Sequence, residues 1–275
     1  MSIQAQTQRL TLRKLQARVD QGQKLSMLTA YDAITSALID EAGVDLILVG
    51  DSLGNVVLGY DTTIPVQLED MIRHAAAVVR GSSHALVVCD MPFGTVTDPE
   101  TALRAAVQIF QKSGAQAVKI EGGEWAAPIV SRLVEQGIPV MAHIGLTPQS
   151  IHQLGGYYRH GKTDSDAQRL LDAALSLEAA GAFSIVLECV MPEVAHEISR
   201  KLTIPTIGIG SGEACDGLVL VINDLIGLGV RPAPSFARPR ADVASIIRRA
   251  VREYISEING HALAPQATPE IRGNA

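Results

Sequence analysis

Only three cysteines occur in this sequence, Cys89, Cys189 and Cys215, and none stands in a CxxC or Cys/His metal spacing. An odd, scattered set builds neither a disulfide framework nor a zinc site, and it fits a reducing, cytoplasmic setting. Positive charge is in deficit too, with a formal net charge of −6 and a pI near 5.6. That balance argues against a general polyanion-binding surface, which would show as a basic stripe. Neither nucleic acid nor a membrane surface is an expected partner. Long hydrophobic runs are missing as well. Charged and polar residues interrupt every apolar stretch before the roughly 18 residues that a membrane-spanning helix needs, and the first residues lack the apolar core of a secretory signal.

What remains is a chain of 275 residues, 47% hydrophobic and 19% charged, which suffices for one large α/β domain with a well-developed core. Short apolar runs recur, separated by Ala/Leu-rich segments of helical period, the pattern of repeated βα units. Strands are expected at Ser26 to Ala30, in the runs ending at Asp51, Asp90, Glu121 and Glu188, at Pro139 to His143, at Pro205 to Ile209 and at Leu218 to Ile222. The last run reads equally as the start of a helix. Gly43, Gly114, Gly137 and Gly181 each precede a strand closely, as left-handed helix caps do. Asp98-Pro99-Glu100 and Pro192-Glu193 read as helix starts. Eight such strands favour a (β/α)8 barrel over an open doubly wound sheet, as a single domain over residues 1–262 with a mobile tail over 263–275. Arg9, Arg13, Lys14 and Arg18 precede the first acid, Asp20. The stretch fits either a targeting peptide or a cap helix over a barrel end, with Leu10, Leu12, Leu15 and Val19 lining one side.

The informative anomaly is that Asp51, Asp90, Lys119, Glu121 and Glu188 end runs that otherwise read as buried strands. Parallel α/β sheets gather reactive groups at the carboxyl ends of their strands, so these side chains are expected in one pocket. Lys119 and Glu121 share a face by the alternation of strand side chains, while Cys89 and Cys189, as neighbours of Asp90 and Glu188, turn to the helix layer as packing residues. Converging carboxylates repel by about 4 kcal/mol per pair at 4 Å and an effective dielectric of ~20. A hard cation such as Mg²⁺ or Mn²⁺ bound by Asp51, Asp90 and Glu121 offsets this. An ion-pair network with Lys119, arginines or backbone donors is the alternative. His143 is either a substrate hydrogen-bonding group or a satisfied core histidine. Gly208 to Gly212 matches neither nucleotide-binding glycine pattern and reads as a tight turn or a place of close ligand approach. Gly145 to Lys162 suits a lid or an ordinary surface loop.

Taken together, Thr29-Ala30-Tyr31-Asp32, Val49-Gly50-Asp51-Ser52-Leu53-Gly54, Asp90-Met91-Pro92-Phe93, Val118-Lys119-Ile120-Glu121-Gly122-Gly123, His143-Ile144-Gly145-Leu146-Thr147-Pro148-Gln149 and Leu187-Glu188-Cys189-Val190 closely resemble ketopantoate hydroxymethyltransferases, in the same order from about Thr11 to Tyr254. The resemblance implies a (β/α)8 TIM barrel of the phosphoenolpyruvate/pyruvate superfamily. It implies transfer of a one-carbon unit from 5,10-methylenetetrahydrofolate to 3-methyl-2-oxobutanoate, giving 2-dehydropantoate on the route to pantothenate. By position it makes Asp51 and Asp90 Mg²⁺ ligands, Glu121 a further metal-site carboxylate, Asp51, Ser52, Asp90 and Lys119 keto-acid contacts, and Glu188 the proton acceptor. It also implies a ring-based homo-oligomer, often a decamer. Three positions depart from the family's pattern: Leu218 replaces a usual Gln, Asn223 a usual His and Ser235 a common Lys. A lyase or mutase of the same superfamily is a competing reading, although no cysteine here sits where those lyases commonly carry a catalytic one. A non-catalytic protein on the same scaffold is the third reading.

Overall fold

The computed structural model describes residues 9–260. Eight parallel strands, β1 (Leu25–Thr29), β2 (Leu46–Val49), β3 (Leu86–Asp90), β4 (Ala117–Glu121), β5 (Val140–Gly145), β6 (Ser184–Glu188), β7 (Thr206–Ile209) and β8 (Gly217–Leu220), close into a barrel in chain order. β8 pairs with β1, Met27 opposite Val219, so the barrel has no free sheet edge. The ambiguous eighth run is therefore a strand. The helices are α1 (Leu12–Asp20), α2 (Ala33–Glu41), α3 (Leu53–Val56), α4 (Leu68–Gly81), α5 (Pro99–Ser113), α6 (Ala127–Glu135), α7 (Ile151–Leu154), α8 (Asp164–Ala179), α9 (Pro192–Lys201), α10 (Ile222–Leu225) and α11 (Val243–Ile258). Of these, α2, α4, α5, α6, α8 and α9 pack side by side in that order.

Contacts divide the chain into two compact units, Met1–Ile222 with the whole barrel and Asn223–Ala275 with α11. The expected tail over 263–275 lies outside the described residues. The four expected glycines all have positive φ, and Asp98 caps α5 by accepting the Glu100 and Thr101 amides at 3.0 Å each, with Pro99 in the first turn.

Strand alternation explains the barrel's polarity. The inward residues near the amino ends, Leu25, Met27, Leu46, Leu48, Leu86, Val88, Ala117, Met141, Val186, Ile207 and Val219, form one buried apolar cluster. Continuing the same alternation toward the carboxyl ends gives Asp90, then Lys119 and Glu121, His143 and Glu188. The barrel is oil-filled at one end and charged at the other.

Its apolar end is covered from the N-terminal side. Leu10 and Leu15 belong to the cluster, and Leu12 and Val19 pack against it. Arg9 donates to Ser82 Oγ (2.9 Å), Ala85 O (3.0 Å) and Val79 O (2.9 Å), which anchors the start of the cap. Within the described residues this stretch is thus the cap helix of the two readings.

The repeated βα pattern fails once. β7 passes to β8 through residues 210–216 with no helix between them. The Asp216 carboxylate accepts the Thr206 amide (2.8 Å) and hydroxyl (2.9 Å), tying the two strands together directly, and Gly210 and Gly212 take the positive φ that the short reversal needs.

Truncating Leu15 to Ala removes the plug's most buried side chain. The expected cost is about 2–5 kcal/mol of unfolding free energy, measured by chemical denaturation. An unchanged midpoint would show that α1 does not close the barrel.

Candidate active site

The barrel gathers all five anomalous charges at its carboxyl end, four of them fully buried. Asp51, Asp90, Lys119 and Glu121 are each no more than 6% exposed, while Glu188 remains partly open to solvent. Lys119 Nζ lies 3.0 Å from Asp90 Oδ1, and Asp90 Oδ2 accepts the Asp51 amide at 3.0 Å. Lys119 also donates to His143 Nδ1 at 3.1 Å, which leaves the imidazole proton on Nε2, 3.2 Å from Glu188 Oε2. His143 therefore links the lysine to the glutamate. Ser52 is held by the buried Tyr31 hydroxyl at 2.8 Å. A Cβ on Gly50 would meet Ser52 Oγ at 2.8 Å and approach Asp90 Oδ2 at 3.5 Å, so only glycine leaves this space open.

The electrostatics are those of a charge-strained cleft. Burial, then Asp90, pushes the Asp51 carboxyl up to about 7, only partly relieved by Lys119, Gln149 and Thr63. Burial and Asp51 likewise raise Glu121 well above the carboxylate range. Burial alone would lower Lys119, but Asp90, Glu121 and Asp51 outweigh it and keep the ammonium charged. Burial and then Lys119 lower His143, so the imidazole is neutral. Three carboxylates thus face one buried ammonium. Asp90 Oδ1 and His143 Nε2 are moreover buried without an aligned hydrogen-bond partner.

An all-oxygen set with surplus negative charge fits a hard divalent cation. Among the described residues, no three His, Cys, Asp or Glu side chains converge closely enough to form a closed metal cage. Mg²⁺ commonly takes only one or two carboxylates and fills its remaining positions with water and substrate oxygens, so the two facts are compatible.

Several groups escaped the sequence reading. Gln149 is buried and donates from Nε2 to Asp51 Oδ2 (2.9 Å) and Met91 O (3.0 Å), while its amide donates to Glu121 Oε2 (3.0 Å). An uncharged residue after a strand gave no anomaly to notice. Cys89 is buried toward Met71 of α4, as expected of a packing residue. Cys189 instead sits in the turn beyond β6 with φ +50°, the one non-glycine residue with positive φ among those described. The Cys189 carbonyl accepts the His160 amide at 2.8 Å, so the loop after β5 is fastened beside Glu188. Tyr158 and His160 stack in this loop with centroids 4.7 Å apart. Burial, and then Glu188, Asp51 and Glu121, raise the Tyr157 hydroxyl, which places that residue within the field of the acidic mouth. In the 208–212 turn, Ser211 Oγ donates to Leu187 O (2.7 Å) and accepts the Val190 amide (2.9 Å), bracing the Glu188 turn. Leu218 points outward from β8 and is exposed, away from the charged residues.

Fold and site together define an eight-stranded parallel β/α barrel with an acid-rich mouth. Solved structures with this fold include phosphonopyruvate hydrolase (TM-score 0.63, 15% identity, 92% of this chain and 91% of that one). A 2,3-dimethylmalate lyase, itself a member of the PEP mutase/isocitrate lyase superfamily, is also similar (TM-score 0.57, 18% identity, 94% and 92%). Sequence similarity is far more specific. The ketopantoate hydroxymethyltransferase family profile matches residues 9–264. The 3-methyl-2-oxobutanoate hydroxymethyltransferase of Chloroflexus aurantiacus is 50% identical over 259 residues, covering 94% of this chain and 92% of that protein. The enzyme of the same name from Carboxydothermus hydrogenoformans is 51% identical over 251 residues, with 91% of each covered. The chain belongs to the ketopantoate hydroxymethyltransferase family.

The raised carboxyls set a sign for stability against pH. Asp51 ionises at about 7 in the fold against 3.8 when free, so between these values the unfolded chain has released a proton that the folded chain keeps. Stability from this group is complete below 3.8 and is lost as pH rises through about 7. Mg²⁺ is therefore expected to raise the melting temperature more at pH 8 than at pH 5, by differential scanning fluorimetry. An equal or opposite shift would contradict the charge surplus.

Proposed function

We propose that the charged mouth is where this chain carries out its family's reaction. There, a hydroxymethyl group from 5,10-methylenetetrahydrofolate is added to 3-methyl-2-oxobutanoate, giving 2-dehydropantoate in pantothenate biosynthesis. The observation that carries the reading is the buried Asp51–Asp90–Lys119–Glu121 cluster set beside a solvent-reachable Glu188. Relatives at about half identity favour this over a lyase or mutase, since the lyase and hydrolase neighbours share the fold at 15–18% identity alone.

Asp51 and Asp90 would hold Mg²⁺, with Glu121 as a further carboxylate of the set. When bound, the ion polarises the keto carbonyl of a 2-oxo acid and offsets charge arising on its oxygen. Ser52 and Lys119 contact the keto acid, and the Lys119 ammonium, held charged by three carboxylates, adds fixed positive potential in a dry pocket. Glu188 takes the proton from C3. Neutral His143, with Nδ1 occupied by Lys119 and Nε2 3.2 Å from Glu188 Oε2, adjoins the base without competing for the proton. Water hydrolyses the methylene bridge, breaking both of its bonds to the folate nitrogens and giving formaldehyde and tetrahydrofolate; the C3 carbanion equivalent adds to the formaldehyde carbon, and the alkoxide so formed takes up the proton that Glu188 removed.

Two further points belong to this reading. The apolar face of α11, with Ile247, Val251, Tyr254, Ile255 and Ile258 all exposed, supports a homo-oligomer built by burying such surfaces. Cytosolic residence agrees with three unpaired cysteines.

The test is exchange of the C3 proton of 3-methyl-2-oxobutanoate in deuterated water with Mg²⁺, followed by NMR. Wild type is expected to exchange it without folate, and Glu188→Gln to slow exchange about 10²- to 10⁴-fold. Undiminished exchange in Glu188→Gln would remove Glu188 from the role of base.

A further inference from the structure

Gln149 is a neutral side chain that reaches into the carboxylate cluster from a different part of the barrel mouth. It stands in the 3₁₀ turn Pro148–Ser150 after β5, yet its hydrogen bonds end on residues at the carboxyl ends of β2, β3 and β4. The residue is only 8% exposed, and Asp51 Oδ2 and Met91 O both accept from its carboxamide, so its rotamer is fixed from two sides. One oxygen of each aspartate is thereby engaged: Asp51 Oδ2 by Gln149, and Asp90 Oδ2 by the Asp51 amide. Asp90 Oδ1 faces the Lys119 ammonium at 3.0 Å but has no aligned hydrogen-bond donor.

We propose that Gln149 is a positioning residue for the cation site. By donating to Asp51 Oδ2 it turns the other Asp51 oxygen toward the ion, while its backbone amide fixes Glu121. The inference rests on the cation reading given above. The residue type follows from the electrostatics. A lysine or arginine here would cancel the negative charge that attracts the ion, and a carboxylate would add to a repulsion that is already large. A carboxamide supplies donors at no change in charge. Groups of this kind, bonded to ligands rather than to the metal, alter metal affinity about 10- to 100-fold when removed.

The experiment uses the full chain and Mn²⁺ as probe, with free Mn²⁺ counted by electron paramagnetic resonance in the absence of substrate. Gln149→Met conserves volume and the backbone donor to Glu121 but removes both carboxamide bonds. Its Mn²⁺ dissociation constant is expected to rise about 10- to 100-fold, with the cation-free melting temperature unchanged. In steady state the Mg²⁺ concentration for half-maximal rate should rise more than kcat falls. Wild-type affinity in Gln149→Met would overturn the role of Gln149 alone. Affinity lost only together with the melting transition would also overturn it, by showing a general packing role. A wild type that binds no Mn²⁺ would overturn the cation reading and this proposal with it. Should Gln149→Met not fold, Gln149→Asn, which withdraws the carboxamide by one methylene, is read in the same way.

Discussion

The ion pair between Lys119 and Asp90, 3.0 Å apart and almost wholly removed from solvent, is the contact on which the mouth of the barrel depends. Buried charges are tolerated only when paired or otherwise compensated. Here one ammonium serves three carboxylates, and its remaining reach is spent on His143. The deficit is distributed as a raised Asp51, a raised Glu121 and an oxygen of Asp90 with no aligned donor. Such an arrangement costs stability in the bare protein, and on the reading proposed above a bound cation would offset it.

The rest of the molecule makes this arrangement possible. Closing eight parallel strands gives each strand one inward face, and the apolar cluster at the amino ends, plugged by Leu10 and Leu15, supplies the burial that offsets charge at the other end. The path Asp90–Lys119–His143–Glu188 crosses from β3 to β6 through adjacent strand ends, so the buried cluster and the solvent-reachable Glu188 share one set of contacts. Beyond β6, Ser211 and the His160 bridge hold the turn that presents Glu188, with Cys189 bent into a left-handed conformation between them. Glu188 is thus placed by a braced turn rather than by a free loop.

Much of this was legible from the residue order because strand periodicity and charge are one-dimensional signals. The eight runs, the inward parity of Asp90, Lys119, Glu121 and Glu188, and the cap helix around Leu15 all follow from alternation and spacing. Other features need three dimensions. Asp51 is out of phase with the inward residues Leu46 and Leu48 and reaches the cluster only because the chain turns after Gly50. The missing helix between β7 and β8 depends on a carboxylate, Asp216, tying across to Thr206. Gln149 carries no charge and sits in a turn, so only its partners reveal it. Leu218 and Ser235 are exposed, and Asn223 bonds locally to Leu228 O at 3.3 Å.

The central claim is that this cluster of strand-end oxygens binds one hard ion within reach of a 2-oxo acid whose C3 faces Glu188. Anomalous diffraction at the manganese edge, from crystals containing Mn²⁺ and 3-methyl-2-oxobutanoate, tests it most directly. The account expects a single strong peak against the carboxylates of Asp51 and Asp90, with C3 of the keto acid turned to Glu188. A peak elsewhere in the barrel, or a keto acid bound with C3 directed away from Glu188, would contradict it.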